Sequence, residues 1–158
     1  MKKIGIIGAG NLGCAIAKGF ITHGKITPSD IYLSRRRNGL LADKEKEGYI
    51  VSDNLSLVKE CDLVILAVLP GQVAEVVKEI CDELVSASKI LVSVVSAVSI
   101  NELKEWTGNG VEVVRVMPNT AIEYGASMTC IAGDEETSVE EVQELFEPLG
   151  QTMVIKEQ

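Results

Sequence analysis

The feature that most constrains the fold of this chain is a pattern of three glycines near its start. Gly8, Gly10 and Gly13 stand in the order G-x-G-x-x-G, between an apolar run and a segment of helical period. In a strand–turn–helix unit, the first glycine permits a tight turn, the second lets the backbone approach a pyrophosphate, and the third allows close packing of the helix on the sheet. The pattern therefore predicts a dinucleotide-binding unit, in preference to a glycine-rich turn that binds nothing. A P-loop is excluded, because no Gly-Lys-Ser/Thr sequence follows the glycines.

The rest of the chain alternates short apolar runs with longer segments of helical period, which is typical of a parallel sheet. Strands are predicted over residues 3–8, 30–34, 49–51, 62–68, 89–95, 111–117, 127–132 and 152–155, and helices over residues 11–23, 40–48, 54–60, 70–85 and 100–106. We expect a Rossmann-type, doubly wound α/β fold, with a mostly parallel sheet, helices on both faces and extra strands at the C-terminal end. Ser138 and Glu141 form a capping-box pattern and predict that the last helix starts there. The 158 residues suffice for one domain, which we expect over residues 1–158.

Charge and composition narrow the function classes. The net charge is −8, and residues 134–148 hold seven acidic side chains and no Lys or Arg, which disfavours nucleic acid as a partner. No apolar run is long enough to cross a bilayer, and the start of the chain shows no signal-peptide pattern, so we expect a cytoplasmic protein without a membrane partner. The four cysteines, Cys14, Cys61, Cys81 and Cys130, lack metal-ligand spacing and are expected to be buried. The single histidine, His23, is expected to end a helix, and no metal site is predicted.

The end of the second strand predicts which dinucleotide binds. NAD domains place Asp or Glu there to hold the ribose 2′-hydroxyl. In this chain the strand ends in Ser34, Arg35 and Arg36, without an acid. A hydroxyl and guanidinium groups can bond to a 2′-phosphate that a carboxylate would repel. The segment therefore favours NADP(H), while Arg37 is equally compatible with a solvated turn.

Two further segments follow strands at the edge where ligands of doubly wound sheets bind. One is Ala67, Val68, Leu69 and Pro70 after the central strand, and the other is Ser96 and Ala97 after the next strand. Both are also compatible with well-packed connections that bind nothing.

Longer motifs give the chain a family resemblance. These motifs are Gly8-Ala9-Gly10-Asn11-Leu12-Gly13, Asp53-Asn54, Val64-Ile65-Leu66-Ala67-Val68 with Pro70, and Val114-Arg115-Val116-Met117-Pro118-Asn119-Thr120 followed by Gly125 and Met128-Thr129. With them the chain resembles the amino-terminal domain of pyrroline-5-carboxylate reductase, and the Met-Pro-Asn-Thr segment is the most specific of them.

The resemblance implies a reaction and a set of site residues. Hydride would pass from C4 of the nicotinamide to the imine carbon of pyrroline-5-carboxylate and give proline. The implied NADPH site comprises Gly8, Ala9, Gly10, Asn11, Leu12, Gly13, Ser34, Arg35, Arg36, Asn54, Ala67, Val68, Leu69, Pro70, Ser96 and Ala97. The segment Met117, Pro118, Asn119 and Thr120 would border the nicotinamide and the substrate. No residue of the chain is assigned as a general acid.

Departures from the family pattern keep other functions open. The family usually has Lys, Gly and Pro where this chain has Leu69, Val98 and Ala121, and Val98 is expected to narrow the floor of the cleft near the nicotinamide. One alternative is a related NADP-dependent reductase that uses another small substrate or a deazaflavin partner. Another is a non-catalytic dinucleotide-sensing module.

The resemblance also implies a second, helical domain that would begin near Glu157 and form the dimer interface. It is absent from this chain, which is either part of a longer protein or a natural single-domain relative. We expect the full-length protein to be a homo-oligomer, and this chain alone to bind cofactor while turning over slowly or not at all.

Overall fold

The computed structural model describes residues 2–87 and 89–156, without the side chains of Asn38 and Thr120. Its strands are β1 (Ile4–Ile7), β2 (Ile31–Ser34), β3 (Ile50–Val51), β4 (Leu63–Leu66), β5 (Ile90–Ser93), β6 (Glu112–Met117), β7 (Ser127–Gly133) and β8 (Gly150–Val154). Its helices are α1 (Asn11–His23), α2 (Ala42–Lys46), α3 (Asn54–Glu60), α4 (Val73–Ser86), α5 (Ile100–Thr107) and α6 (Glu136–Phe146). Short 3₁₀ turns cover Pro28–Asp30, Asn38–Leu41, Pro70–Gln72, Thr120–Tyr124 and Glu147–Leu149.

All eight strands join one sheet in the order β3-β2-β1-β4-β5-β6-β7-β8. Strands β1 to β6 are parallel, β7 runs antiparallel to β6, and β8 is parallel to β7. The first six strands have the order of a Rossmann fold, and the direction of winding reverses between β1 and β4. The predicted fold class is confirmed, including the extra strands at the C-terminal end.

Apolar side chains from both faces of the sheet form two cores, because a parallel sheet covered by helices is buried on both sides. On one face α1 and α6 pack together, and the rings of Phe20 and Phe146 meet edge to face with centroids 5.3 Å apart. On the other face α3, α4 and α5 pack on β1, β4 and β5 through residues such as Leu57, Ile80 and Leu103. The two layers hold the carboxyl ends of the central strands in fixed positions, which is where the candidate site lies.

The predicted capping box at Ser138 and Glu141 is wrong. Helix α6 begins at Glu136 after Glu135, and no side chain caps it. Ser138 is buried and donates a hydrogen bond to the Glu112 carboxylate on β6, while Glu141 pairs with Lys2. Ser138 therefore faces the sheet within the first turn of the helix, where its hydroxyl has a partner on a neighbouring strand.

The start of β8 also differs from its prediction. The strand begins at Gly150 instead of residue 152. Gly150 has φ +138°, and a Cβ at this position would lie 2.0 Å from the carbonyl oxygen of Ser127. The glycine thus allows β8 to approach β7 from its first residue.

Other expectations have mixed outcomes. His23 is the last residue of α1, as predicted. Cys61 is fully buried, but Cys14, Cys81 and Cys130 are only half-buried. Among the described residues, no helix has the length and apolarity to cross a membrane, and no cluster of His, Cys, Asp and Glu could hold a metal ion.

Candidate functional site

A cleft of about 1070 Å³ opens at the carboxyl edge of the sheet, where the winding reverses between β1 and β4. Its walls come from the glycine turn, the end of β2, the start of α3, the segments after β4 and β5, and the first turns of α4. This is the position at which doubly wound sheets bind their ligands.

The three glycines of the turn have different surroundings. A Cβ on Gly8, which has φ +87°, would lie 2.7 Å from the Val68 side chain, and a Cβ on Gly13 would lie 3.1 Å from the carbonyl oxygen of Gly8. Protein packing therefore explains these two glycines. Gly10 lines the cleft, and a Cβ there would meet no protein atom closer than 4.0 Å. The turn leaves open the space that a pyrophosphate needs, so its residues fit such a group.

The start of α1 adds to this fit. Gly10 is the N-cap residue, no side chain caps the helix, and its first turn contains no acidic residue. The first N–H groups of a helix lack intrahelical partners and carry the positive end of the helix dipole. A phosphate placed at the turn would accept hydrogen bonds from these groups.

A chain of hydrogen bonds links the end of β2 to α3 and α4. The carbonyl oxygen of Ser34 accepts from the N–H groups of Gly8 (2.8 Å) and Ala9 (2.9 Å). The buried Ser34 hydroxyl donates to Oδ1 of Asn54 at 2.6 Å, and Nδ2 of Asn54 donates to Oε1 of Glu79 at 2.6 Å. One residue, Ser34, thus fixes the glycine turn with its backbone and contacts α3 with its side chain.

The N-terminus of α3 is capped by Asp53, which also lines the cleft. Its carboxylate accepts a hydrogen bond from the N–H of Ser56 at 2.8 Å. This bond holds the pKa of the Asp53 carboxyl below its usual value. The cap keeps Asn54, the first residue of the helix, in place beside Ser34.

Charge and apolarity divide the lining of the cleft. Arg35, Arg36 and Arg37 line it at the end of β2, and the guanidinium of Arg36 lies 3.7 Å from the Glu75 carboxylate. Elsewhere the lining includes large apolar side chains that are unusually exposed, namely Leu12 (37%), Leu40 (62%) and Leu69 (69%). A cationic end and exposed apolar surface suit a ligand that carries both phosphates and flat rings.

The structure brings most of the predicted cofactor residues together. Gly8, Gly10, Asn11, Leu12, Ser34, Arg35, Arg36, Asn54, Ala67, Val68, Leu69, Pro70 and Ser96 all line the cleft. Ala9 and Gly13 are buried, Ala97 is exposed, and none of the three is among the described residues that line the cleft. Whether these residues bind a cofactor stays a prediction.

Sequence reasoning missed several residues that line the cleft, among them Leu40, Gln72, Glu75, Val76, Glu79, Val94 and Val95. Glu75 and Glu79 are four residues apart on α4 and so lie on one side of the helix. Their spacing was a signal in the sequence, but only the packing of α4 shows that this side faces Asn54.

The expectation that Val98 narrows the floor of the cleft is wrong. Val98 is 4% exposed and packs into the core beneath α4 and α5. The chain turns at Ala97, whose φ of +65° lies in the left-handed region, and this turn directs Val98 inward. The conformation that favours glycine is therefore at position 97.

Three residues of the predicted substrate-adjacent segment, Met117, Pro118 and Asn119, lie at the end of β6, and the described lining of the cleft does not include them. The Asn119 side chain accepts from the N–H of Ala121 at 3.0 Å, and the N–H of Asn119 donates to the Ser127 hydroxyl at 3.3 Å. Ser127 in turn bonds to the Thr129 hydroxyl at 2.9 Å, and both are buried. This hydroxyl pair, which sequence reasoning missed, supports the turn that holds Met117, Pro118 and Asn119. The side chain of Thr120 lies outside the described structure.

Known proteins match this chain in sequence. The family model described as NADP oxidoreductase, coenzyme F420-dependent, matches residues 3–97. Pyrroline-5-carboxylate reductase 2 of Dictyostelium discoideum is 40% identical over 139 residues, which cover 85% of this chain and 46% of the relative. The chain belongs to that oxidoreductase family, and it corresponds to the amino-terminal domain of the pyrroline-5-carboxylate reductase family. The resemblance inferred from the motifs is confirmed.

Solved structures of pyrroline-5-carboxylate reductases share the architecture. The enzyme from Coxiella burnetii matches 99% of this chain and 60% of its own, with a TM-score of 0.89 and 26% identity. The enzyme from Plasmodium falciparum, solved with NADP bound, matches 99% of this chain and 58% of its own, with a TM-score of 0.88 and 27% identity. The chain thus spans about half the length of the relatives that it matches.

Proposed function

We propose that this chain is the NADP(H)-binding domain of a reductase that converts pyrroline-5-carboxylate to proline by hydride transfer. The observation that carries the proposal is the cleft at the reversal of winding, where Gly10 leaves room for a pyrophosphate and Ser34, Arg35 and Arg36 replace the acid of NAD domains. The family to which the chain belongs supports the same cofactor.

In this proposal the residues of the chain bind and orient the cofactor and the substrate. The glycine turn and the start of α1 would hold the pyrophosphate, and Arg35 and Arg36, beside Ser34, would hold the 2′-phosphate. Bound NADPH supplies the hydride and hence the reducing chemistry. The Met117–Asn119 segment would border the substrate, kept in place by the Ser127 and Thr129 hydroxyls.

The proposal extends to properties of the whole protein. Since the chain spans about half of its relatives, the imine substrate and a homo-oligomer of the full-length protein are proposals that rest on the resemblance. A cytoplasmic location is a separate proposal.

Calorimetric titration of the chain with NADPH and, separately, with NADH tests the cofactor assignment. We expect binding of NADPH and a clear preference for it over NADH, because the arginines attract the 2′-phosphate. Absence of binding by either cofactor would contradict the proposal.

The Arg35→Asp variant tests the 2′-phosphate site. Replacing a cation by a carboxylate should weaken NADPH binding by about tenfold or more, while NADH affinity changes little, because only NADPH carries the added phosphate. The same titration measures both affinities. If both stay at their wild-type values, Arg35 does not contact the phosphate and this part of the assignment is wrong.

One alternative has support of its own. The matching family model is described as coenzyme F420-dependent, which favours a reductase that exchanges hydride between NADP and a deazaflavin. Turnover assays of the full-length protein that follow NADPH absorbance, with pyrroline-5-carboxylate or with F420 as acceptor, distinguish the two. If the full-length protein binds NADPH but neither acceptor oxidises it, a dinucleotide-sensing module is favoured instead.

A further inference from the structure

We infer that Glu79 determines cofactor specificity, by limiting how strongly the cleft prefers a 2′-phosphate over a free 2′-hydroxyl. The inference rests on the proposed function. It concerns a residue of α4, which lies outside both the glycine turn and the end of β2 from which the cofactor was predicted.

The first step is the contact between Glu79 and Asn54. An ionised carboxylate only accepts hydrogen bonds, so the amide of Asn54 must present its NH₂ group to it, as observed at 2.6 Å. Turning the amide over would place its oxygen against the carboxylate. Glu79 therefore fixes the orientation of the Asn54 side chain.

The second step follows from that orientation. With its NH₂ group on Glu79, Asn54 presents its oxygen to Ser34, and the Ser34 hydroxyl donates to it at 2.6 Å. A serine hydroxyl has one hydrogen, so Ser34 can then offer only acceptor lone pairs to a ligand. A ribose 2′-hydroxyl can donate to Ser34 in this state, but an ionised 2′-phosphate has no hydrogen to donate.

The third step is charge. Among the described residues, the carboxylates of Asp53, Glu75 and Glu79 line the same cleft as the three arginines. Glu79 contacts Asn54, which bonds directly to Ser34, so its negative charge lies next to the predicted phosphate position. Like charge disfavours a phosphate, and the orientation of Asn54 acts in the same direction.

Glu79→Gln removes the charge and lets the Asn54 amide take either orientation, while it keeps the size of the side chain. We expect NADPH to bind about three to ten times more tightly, and NADH affinity to stay within about twofold of wild type. The pair 2′,5′-ADP and 5′-AMP should respond in the same way, since they differ in the same phosphate.

Two variants of α4 serve as controls. Glu83→Gln removes a carboxylate one turn further along, which lies 4.0 Å from Lys59 and is absent from the lining of the cleft, and it should leave both affinities unchanged. Glu75→Gln removes a charge inside the cleft that pairs with Arg36 instead of contacting Asn54, so its effect should be smaller than that of Glu79→Gln. Circular dichroism confirms that each variant folds.

The inference is tested by calorimetric titration of the 158-residue wild-type chain and its variants with NADPH, NADH, 2′,5′-ADP and 5′-AMP. A rise in the ratio of NADPH to NADH affinity that is confined to Glu79→Gln, or largest there, supports the inference. An unchanged or lower ratio overturns it while wild-type NADPH binding leaves the proposed function intact. An equal gain in Glu75→Gln also overturns it, because the net charge of the cleft would then suffice. Failure of the wild type to bind either cofactor overturns both proposals.

Discussion

At Gly10 the absence of a side chain has no explanation in protein packing, since a Cβ would meet nothing closer than 4.0 Å. Gly8 and Gly13 differ, because Cβ atoms there would collide with Val68 or crowd the turn itself. The sequence motif alone does not distinguish the roles of the three glycines. The structure shows that packing requires two of them and that the third borders open space in the cleft.

Ala97 and Val98 show where residue-level prediction failed. The left-handed turn falls on Ala97, and one residue of difference moves Val98 from the predicted cleft floor into the core. Comparison with a family pattern places the residue with a left-handed backbone correctly only if the two sequences are aligned without a shift. The φ angle in the structure identifies that residue directly. An alanine at φ +65° carries strain that a glycine would not.

Cys61 makes a prediction about pH. Burial raises the pKa of its thiol from 9.0 to about 12. The folded protein keeps this proton while the unfolded chain loses it above pH 9. The thiol's contribution to the free energy of unfolding is therefore fully present below pH 9 and is lost as the pH rises towards about 12.

Thermal melting between pH 8 and pH 11 measures this effect. Cys61→Ala should flatten the fall in melting temperature, although the cavity that it leaves lowers stability at every pH. The fall should not vanish entirely, since burial also raises the pKa values of Cys14 and Tyr49. A fall of the same size in the variant and the wild type would contradict the assignment to Cys61.

At the scale of elements, the apolar pattern of the chain predicted the strands and helices well, because the spacing of apolar residues within an element is a local property of the sequence. The central strands are buried on both faces and read as continuous apolar runs. Element ends were harder. The 3₁₀ turns at Asn38–Leu41 and Pro70–Gln72 each precede a helix. The sequence alone predicted helices that begin within these turns, at residues 40 and 70.

The start of α6 shows why such ends escape prediction. A capping box is a local pattern, but Ser138 has a partner on β6, 26 residues earlier. Contacts of that sequence separation depend on how the helix packs. Prediction of the cleft lining is limited in the same way. The residues after β1, β2, β4 and β5 were predictable from topology, whereas Glu75 and Glu79 on α4 were not.

A double-mutant cycle tests the partner of Ser138. Removing both Ser138 and Glu112 by alanine substitution should show a coupling of about 0.5–1.5 kcal/mol in the free energy of unfolding, because each single variant already loses the hydrogen bond. The cycle between Ser138 and Glu141 should give no coupling. Urea denaturation of the single and double variants measures both, and the reverse result would restore the capping box.

At the scale of the whole molecule, the cleft joins the two halves of the sheet. Its lining comes from β1 and β2 on one side of the reversal and from the segments after β4 and β5 on the other. A ligand seated there contacts segments that are far apart in sequence and that lie together only in the folded state. Binding should therefore stabilise the domain as a unit, since the unfolded chain has no such site.

NADPH at a concentration a hundred times its Kd should stabilise the fold by about 2.7 kcal/mol. For a domain of this size that corresponds to a rise in melting temperature of about 5–10 °C, because each kcal/mol shifts the midpoint by about 2–4 °C. Differential scanning calorimetry measures the rise. NADH at the same concentration, and NADPH with the Arg35→Asp variant, should each give a smaller rise, because in both cases the contact between arginine and 2′-phosphate is missing. Equal shifts in all three samples would mean that the 2′-phosphate contributes nothing to binding, and the cleft would then be a site for NAD(H) and NADP(H) alike.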